Sequence, residues 1–166
     1  MQMVAIVTGG SSGIGRETAL ALHRAGCRVY EFSRHSAAPE GVIHIFCDVA
    51  DEKQFEESVR LVESREGRID LLINNAGFGI SGAAEFTQNA DAHRLLEVNL
   101  FGMVNGCKAV LPIFRKQGSG RIVNVSSFAA LTPIPFQAWY SVSKAAVSAY
   151  TAALRNEVCP FGIQLC

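Results

Sequence analysis

Neither sign of charge prevails in this 166-residue chain: fifteen lysines and arginines stand against fifteen aspartates and glutamates. A balanced chain has no global field to draw nucleic acid or an anionic surface, so neither nucleic acid nor membrane is expected as a partner. Long apolar runs are missing as well. None approaches the roughly 20 residues that cross a bilayer, and no charged-then-apolar leader is expected from the opening residues. Met1 runs almost directly into the first strand pattern, and a cytoplasmic location is the expectation. Paired cysteines are also lacking. Cys27, Cys47, Cys107, Cys159 and Cys166 form no Cys-x-x-Cys and have no histidine at finger-like spacing, so they read as reduced thiols and no metal site is expected. Apolar residues are plentiful. At 49% hydrophobic and 18% charged, the chain has the balance of a globular domain with a real core.

Those apolar residues fall into short runs alternating with helical patterns. Val4-Ala5-Ile6-Val7 is a continuous apolar run, which suits a strand covered on both faces. Arg16 to Ala25 reads as a helix with Gly26 as its stop. Val29 to Phe32 and Val42 to Phe46 read as the second and third strands. Asp51 can cap a helix reaching about Arg65, with Phe55, Val59 and Val62 inside. Ile69 to Ile73 reads as a fourth strand, Asp91 to Lys116 as a long helix and Ile122 to Val125 as a fifth strand. A second long helix runs from Trp139 to Val158, and a sixth strand begins at Ile163. The alternation predicts an α/β fold, a Rossmann-like doubly wound parallel sheet of five full strands and the start of a sixth. Residues 1–166 read as one Rossmann domain, incomplete at its carboxyl end. The fifth strand is expected to be poorly covered.

Between the first strand and the first helix lies Thr8-Gly9-Gly10-Ser11-Ser12-Gly13-Ile14-Gly15. The opening N–H groups of a helix have no partners within it, and together with the helix dipole they attract a pyrophosphate. Gly9, Gly13 and Gly15 remove side chains where backbone and ligand, or helix and strand, must come close. At the end of the second strand, where an adenosine ribose is met, the chain offers Ser33-Arg34. A hydroxyl and a guanidinium suit a 2′-phosphate, so NADP is expected ahead of NAD. The alternative reading of Arg34 is a solvated loop residue.

A second constellation lies toward the other end. Tyr140 and Lys144 are four residues apart on a helix, and so share a face. A phenol is a weak acid at neutral pH, and a nearby ammonium stabilises its phenolate. Ser127, at the end of the fifth strand, can hydrogen-bond a substrate oxygen. Reduction of a ketone needs a hydride from a cofactor and a proton from the protein, and this group can supply the proton. Each piece has a plain alternative: a surface Tyr–Lys pair, a capping serine, or ordinary turns at Asn74-Asn75-Ala76-Gly77.

Taken together, these residues resemble the short-chain dehydrogenase/reductase family, in its Tyr-x-x-x-Lys branch. Thr8-Gly9-x-x-x-Gly13-Ile14-Gly15 is similar to the family's cofactor motif, which implies cofactor contacts from Thr8, Gly9, Ser11, Ser12, Gly13, Ile14 and Gly15. The resemblance further implies that Asp48 and Val49 hold the adenine and that Asn75, Ala76 and Gly77 line the cofactor site. Tyr140 is then the general acid/base and Ser127 orients the carbonyl. Lys144 binds the ribose and lowers the tyrosine pKa, and Asn99 anchors a water in the proton path. Members of the family usually run to about 250 residues, so the chain reads as truncated, with the nicotinamide half of the cofactor loosely held.

Phe78, Ile80, Phe128, Leu131, Ile134, Phe136 and Trp139 lie near these positions in the chain. Apolar walls favour a lipophilic substrate, and core packing is the equal alternative. The two long helices resemble those that pair between subunits in the family, which implies a homodimer or homotetramer. A rival reading makes the chain a catalytically inactive nucleotide-binding or dimerising module. A third, a sugar-nucleotide epimerase, fits the glycine spacing less well.

Overall fold

The computed structural model describes residues 2–35 and 38–166, so Met1, Ser36 and Ala37 lie outside the described residues. The chain runs β1 (Val4–Thr8), α1 (Gly13–Arg24), β2 (Arg28–Ser33), β3 (Ile43–Phe46), α2 (Glu52–Glu66) and β4 (Leu71–Asn74). It continues through α3 (Asn89–Leu96), α4 (Gly102–Gln117), β5 (Gly120–Asn124), α5 (Ala138–Val158) and β6 (Ile163–Leu165). The strands pair in parallel in the order β3-β2-β1-β4-β5-β6. The chain builds outward from β1 in one direction, returns to β4 and builds outward in the other. The carboxyl ends of β1 and β4 therefore part at the centre of the sheet, where open α/β sheets bind their ligands.

Strand alternation divides the core in two. Ile6, Phe32, Leu72 and Ile122 point to the face that holds Phe55 and Val59 of α2, Phe114 of α4 and Val147 of α5. Ala5, Val7, Val29 and Ile73 point to the opposite face, which Ala19 and Leu22 of α1 help cover. All five residues of β1 are buried, as its unbroken apolar run requires. Truncation of Phe55, wholly buried, would cost about 3–5 kcal/mol.

Three departures from the sequence pattern have physical causes. α1 starts at Gly13, three residues before its apolar periodicity begins, because the glycine turn runs straight into the helix behind an extended Ser12. The long helix expected from Asp91 to Lys116 is broken by a π-helical turn over Glu97–Phe101. That turn inserts a residue and carries Asn99 into the interior, 2% exposed. An apolar repeat cannot register such an insertion. Finally, β5 is not left bare. Gly120, Arg121 and Ile122 pair with Ile163, Gln164 and Leu165, and Asn124 N–H donates to the Cys166 carbonyl at 2.8 Å. The Asp51 cap is present, its carboxylate accepting from Gln54 N–H at 3.0 Å.

Candidate active site

Thr8 ties the two central strand ends together. Its Oγ1 accepts from the backbone N–H groups of Asn75 and Ala76, each at 3.0 Å, and Asn75 Nδ2 donates to the Thr8 carbonyl at 3.0 Å. Thr8 is thus a brace behind the glycine turn. The turn itself needs glycine in two ways. Gly9 and Gly13 have φ of +67° and +54°, a region that side chains resist. A Cβ on Gly15 would lie 2.3 Å from the Gly9 carbonyl oxygen and 2.4 Å from Asn75 Nδ2, so only glycine lets α1 pack this close to the strand ends. Ser12 makes no side-chain cap, and the first turn of α1 carries no acidic residue. Its amides are therefore open to an anion and nothing there repels one.

From this turn a cavity of about 810 Å³ extends across the carboxyl ends of the strands. Gly9, Ser11, Ser12, Gly13 and Ile14 line one part, Ser33, Arg34, Asp48 and Val49 a second, and Asn75, Ala76 and Gly77 a third. Ser127, Tyr140 and Lys144 line the far part of the same cavity. The structure brings all of these together. Thr8, Gly15 and Asn99 are not on the wall and act from behind it. Phe32, His35, Cys47, Phe78, Gly79, Val98, Val125, Ser126 and Gln137 also line it, although the sequence reading gave most of them no binding role. Their shared signal is position, since most lie at or just beyond the carboxyl end of a strand.

Arg34 Nη1 lies 3.9 Å from Asp48 Oδ2, with both side chains well exposed to solvent. A pair of that kind contributes at most about 1 kcal/mol, so a phosphate can draw the guanidinium away from it. Asp48 is fixed independently, because its Oδ1 accepts from Ala50 N–H at 3.1 Å.

At the far end, α5 presents Tyr140 and Lys144 on one face. Lys144 is 6% exposed. Its Nζ donates to the Val125 carbonyl at 2.8 Å and lies 5.9 Å from the centre of the Tyr140 ring. Burial lowers its pKa from the usual lysine value. Ser127 Oγ accepts from Ala129 N–H at 3.1 Å, which leaves its hydroxyl hydrogen for an oxygen in the cavity.

Asn99 is fully engaged by protein. Its Oδ1 accepts from Phe78 N–H at 2.9 Å, and its Nδ2 donates to the Phe78 carbonyl at 2.8 Å and to Ser143 Oγ at 3.2 Å. Ser143 in turn donates to the Tyr140 carbonyl at 2.7 Å. The amide thus fastens the Gly77–Gly79 segment to the helix that carries Tyr140.

Beyond Tyr140 the surface turns apolar. Phe128, Leu131 and Phe136 are 71%, 82% and 68% exposed, and Phe78 and Ile134 are partly so. Phe136 has φ of +63°, a strained backbone for an aromatic residue. It is held there by Gly82 N–H, which donates to its carbonyl at 2.8 Å.

Comparison with known proteins bears on this arrangement. The family model described as short chain dehydrogenase matches residues 3–166. A 3-ketodihydrosphingosine reductase of Bacteroides thetaiotaomicron is 42% identical over 164 residues, which is 98% of this chain and 61% of that protein. A solved short-chain dehydrogenase from Streptomyces avermitilis superposes with a TM-score of 0.93 at 37% identity, covering 99% of this chain and 63% of that one. ElxO, solved with NADP bound, superposes with a TM-score of 0.94 at 29% identity, covering 99% of this chain and 71% of its own. The chain spans about three fifths of the length of the curated reductase it matches.

Proposed function

The chain belongs to the short chain dehydrogenase family, and from that premise we propose that it serves an oxidoreductase acting on a lipophilic secondary alcohol or ketone with NADP, or else NAD, as cofactor. Residues 1–166 act as the dinucleotide-binding unit. One observation carries the reading: a single cavity joins the glycine turn to Ser127, Tyr140 and Lys144.

The bound nicotinamide supplies or accepts the hydride, and the remaining work falls to the chain. The open amides at Gly13 and Ile14 hold the pyrophosphate. Ser33 and Arg34 meet the adenosine ribose and favour a 2′-phosphate, while Asp48 and Val49 hold the adenine. Asn75, Ala76 and Gly77 support the inner half. Ser127 donates its free hydroxyl hydrogen to the substrate oxygen, and Tyr140 gives that oxygen a proton or takes one from it. Lys144 holds the inner ribose beside the tyrosine. Asn99 fixes the Phe78 backbone and α5 in register and anchors a water in the proton path beside them. The exposed Phe128, Leu131 and Phe136 support a lipophilic substrate, and the name of the 42% identical reductase agrees with one. We also infer a cytoplasmic protein that pairs with itself through α4 and α5. The exposed Phe101 and Val142 support the pairing, and sedimentation equilibrium tests it.

Tyr140→Phe tests the function. Turnover of a long-chain ketone should fall about 10²- to 10⁴-fold, while NADPH binding, read by fluorescence, stays unchanged. Full turnover in the variant would refute the assigned role. Binding without turnover in the unsubstituted protein would favour an inactive nucleotide-binding module.

A further inference from the structure

A carboxylate lies beneath the nucleotide end of the cavity, and none of the chemistry above uses it. Glu31, on β2, is 0% exposed. Its Oε2 is buried with no hydrogen-bond partner among the described residues. The side chain lies under the glycine turn, where a Cβ on Gly10 would come within 2.6 Å of Glu31 Cβ and 3.3 Å of Oε2. Its other oxygen accepts from Ser33 Oγ at 3.2 Å, and Ser33 is on the cavity wall. Glu31 thus sits one hydrogen bond behind the place where the turn and the end of β2 come together to meet an adenosine ribose.

A bare carboxylate there opposes the 2′-phosphate that Ser33-Arg34 otherwise suits, because like charges in a poorly solvated region repel strongly. The fold sets one group against it. His44 stands opposite Glu31 in the β2–β3 register, and its Nδ1 bonds Glu31 Oε1 directly. The nearby wall carries Arg34, His35 and Asp48. Arg34 is near Asp48, and only the His35 backbone carbonyl, which accepts from Ser33 Oγ at 2.9 Å, enters this network.

We propose that Glu31 and His44 form a specificity-determining pair, in which His44 cancels the charge of Glu31 and so permits a 2′-phosphate at the adenosine end of the cavity. The proposal rests on the nucleotide-binding reading above and deepens it. Neither residue touches the ligand. Both act through Ser33 and through the field at the subsite.

The test measures the affinity of adenosine 2′,5′-bisphosphate against that of adenosine 5′-monophosphate by titration calorimetry at low salt, where such fields are least screened. His44→Gln should weaken the bisphosphate about tenfold and leave the monophosphate unchanged. Adding Glu31→Gln to that variant should restore the bisphosphate, which a merely structural role for His44 would not do. Glu31→Gln alone, measured at about pH 8 where an imidazole without a carboxylate partner is neutral, leaves the pair without net charge as before and should shift the ratio by less than about threefold. A tenfold gain of bisphosphate affinity in Glu31→Gln alone would show an uncancelled carboxylate and overturn the proposal, even if His44→Gln failed to fold. Equal weakening of both ligands by His44→Gln, or no effect, would overturn it too. Unsubstituted protein that binds neither ligand would refute the nucleotide-binding reading itself, and the pair's role with it.

Discussion

The two ends of the cavity are built from opposite materials. At the nucleotide end, the wall is backbone and short polar side chains, held from behind by buried groups: Thr8, Asn75, Gly15 against Gly9, and Glu31 under Gly10. At the far end, where Phe78 lines the wall, the neighbouring surface carries large apolar side chains turned toward solvent on a loop with a strained Phe136. The first end is fixed by the packing of the sheet and cannot change without disturbing the fold. The second hangs from the fold by a few backbone bonds and can vary freely. The two regions thus differ in mechanical constraint, which under the proposed function suits a shared cofactor at the first and a particular substrate at the second.

Substitutions should separate the ends cleanly. The largest effect is expected from Gly15→Val. Its Cβ meets backbone 2.3 Å away, which no rotamer relieves, so α1 must shift. NADPH binding should fall at least about 100-fold, with stability down by about 1–3 kcal/mol, as read by fluorescence titration and urea melts. A smaller and purely kinetic effect is expected from Leu131→Ser. Leu131 is 82% exposed, so stability should stay within about 0.5 kcal/mol and NADPH binding should not move. The KM for a long-chain ketone should rise a few-fold, less than the roughly 1–3 kcal/mol that a contact in an enclosed apolar pocket contributes, because Leu131 stays mostly exposed. If Leu131→Ser weakened NADPH as much as the ketone, the division between the ends would not hold.

The smallest effect concerns pH. Burial lowers the pKa of Lys144 in the folded chain below its ordinary value of 10.5. Between those two values the unfolded chain holds the extra proton, so this group's share of stability grows as pH rises toward 10.5 and is lost as pH falls through the folded value. The difference in Tm between the unsubstituted protein and Lys144→Met should therefore widen in favour of the former on the alkaline side. The buried thiols of Cys47 and Cys107, pushed up to about 11 and about 12 by burial, titrate in both proteins and cancel in that difference. A constant difference across the range would show that Lys144 is solvated.

The same division explains what the sequence made legible. The alternation of parallel strands with helices, the glycine turn and the joint presence of Ser127, Tyr140 and Lys144 on one cavity follow from apolar runs and from residues whose chemistry is hard to replace. Local irregularity was hidden. The π-helical turn at Glu97–Phe101 adds a residue without altering the apolar pattern, so the burial of Asn99 gave no signal in the sequence. In the fold its amide is committed to Phe78 and Ser143. Strand alternation gives no direction for Glu31 either, since β2 is buried on both faces. Its burial depends on the absence of a side chain at Gly10 and on the presence of His44 across the strand pair, two features far apart in the chain. Exposure of Phe128, Leu131 and Phe136 was equally unreadable, because an apolar residue in a loop gives no periodic signal for which way it faces.

The account depends on the glycine turn and the Tyr140–Lys144 helix belonging to one binding site. Backbone hydrogen exchange with and without saturating NADPH tests this most directly. Protection is predicted in the turn at residues 9–15, at the end of β2 and in residues 140–144, with little change across 128–136. Protection confined to one of those segments, or absent from the turn, would contradict it.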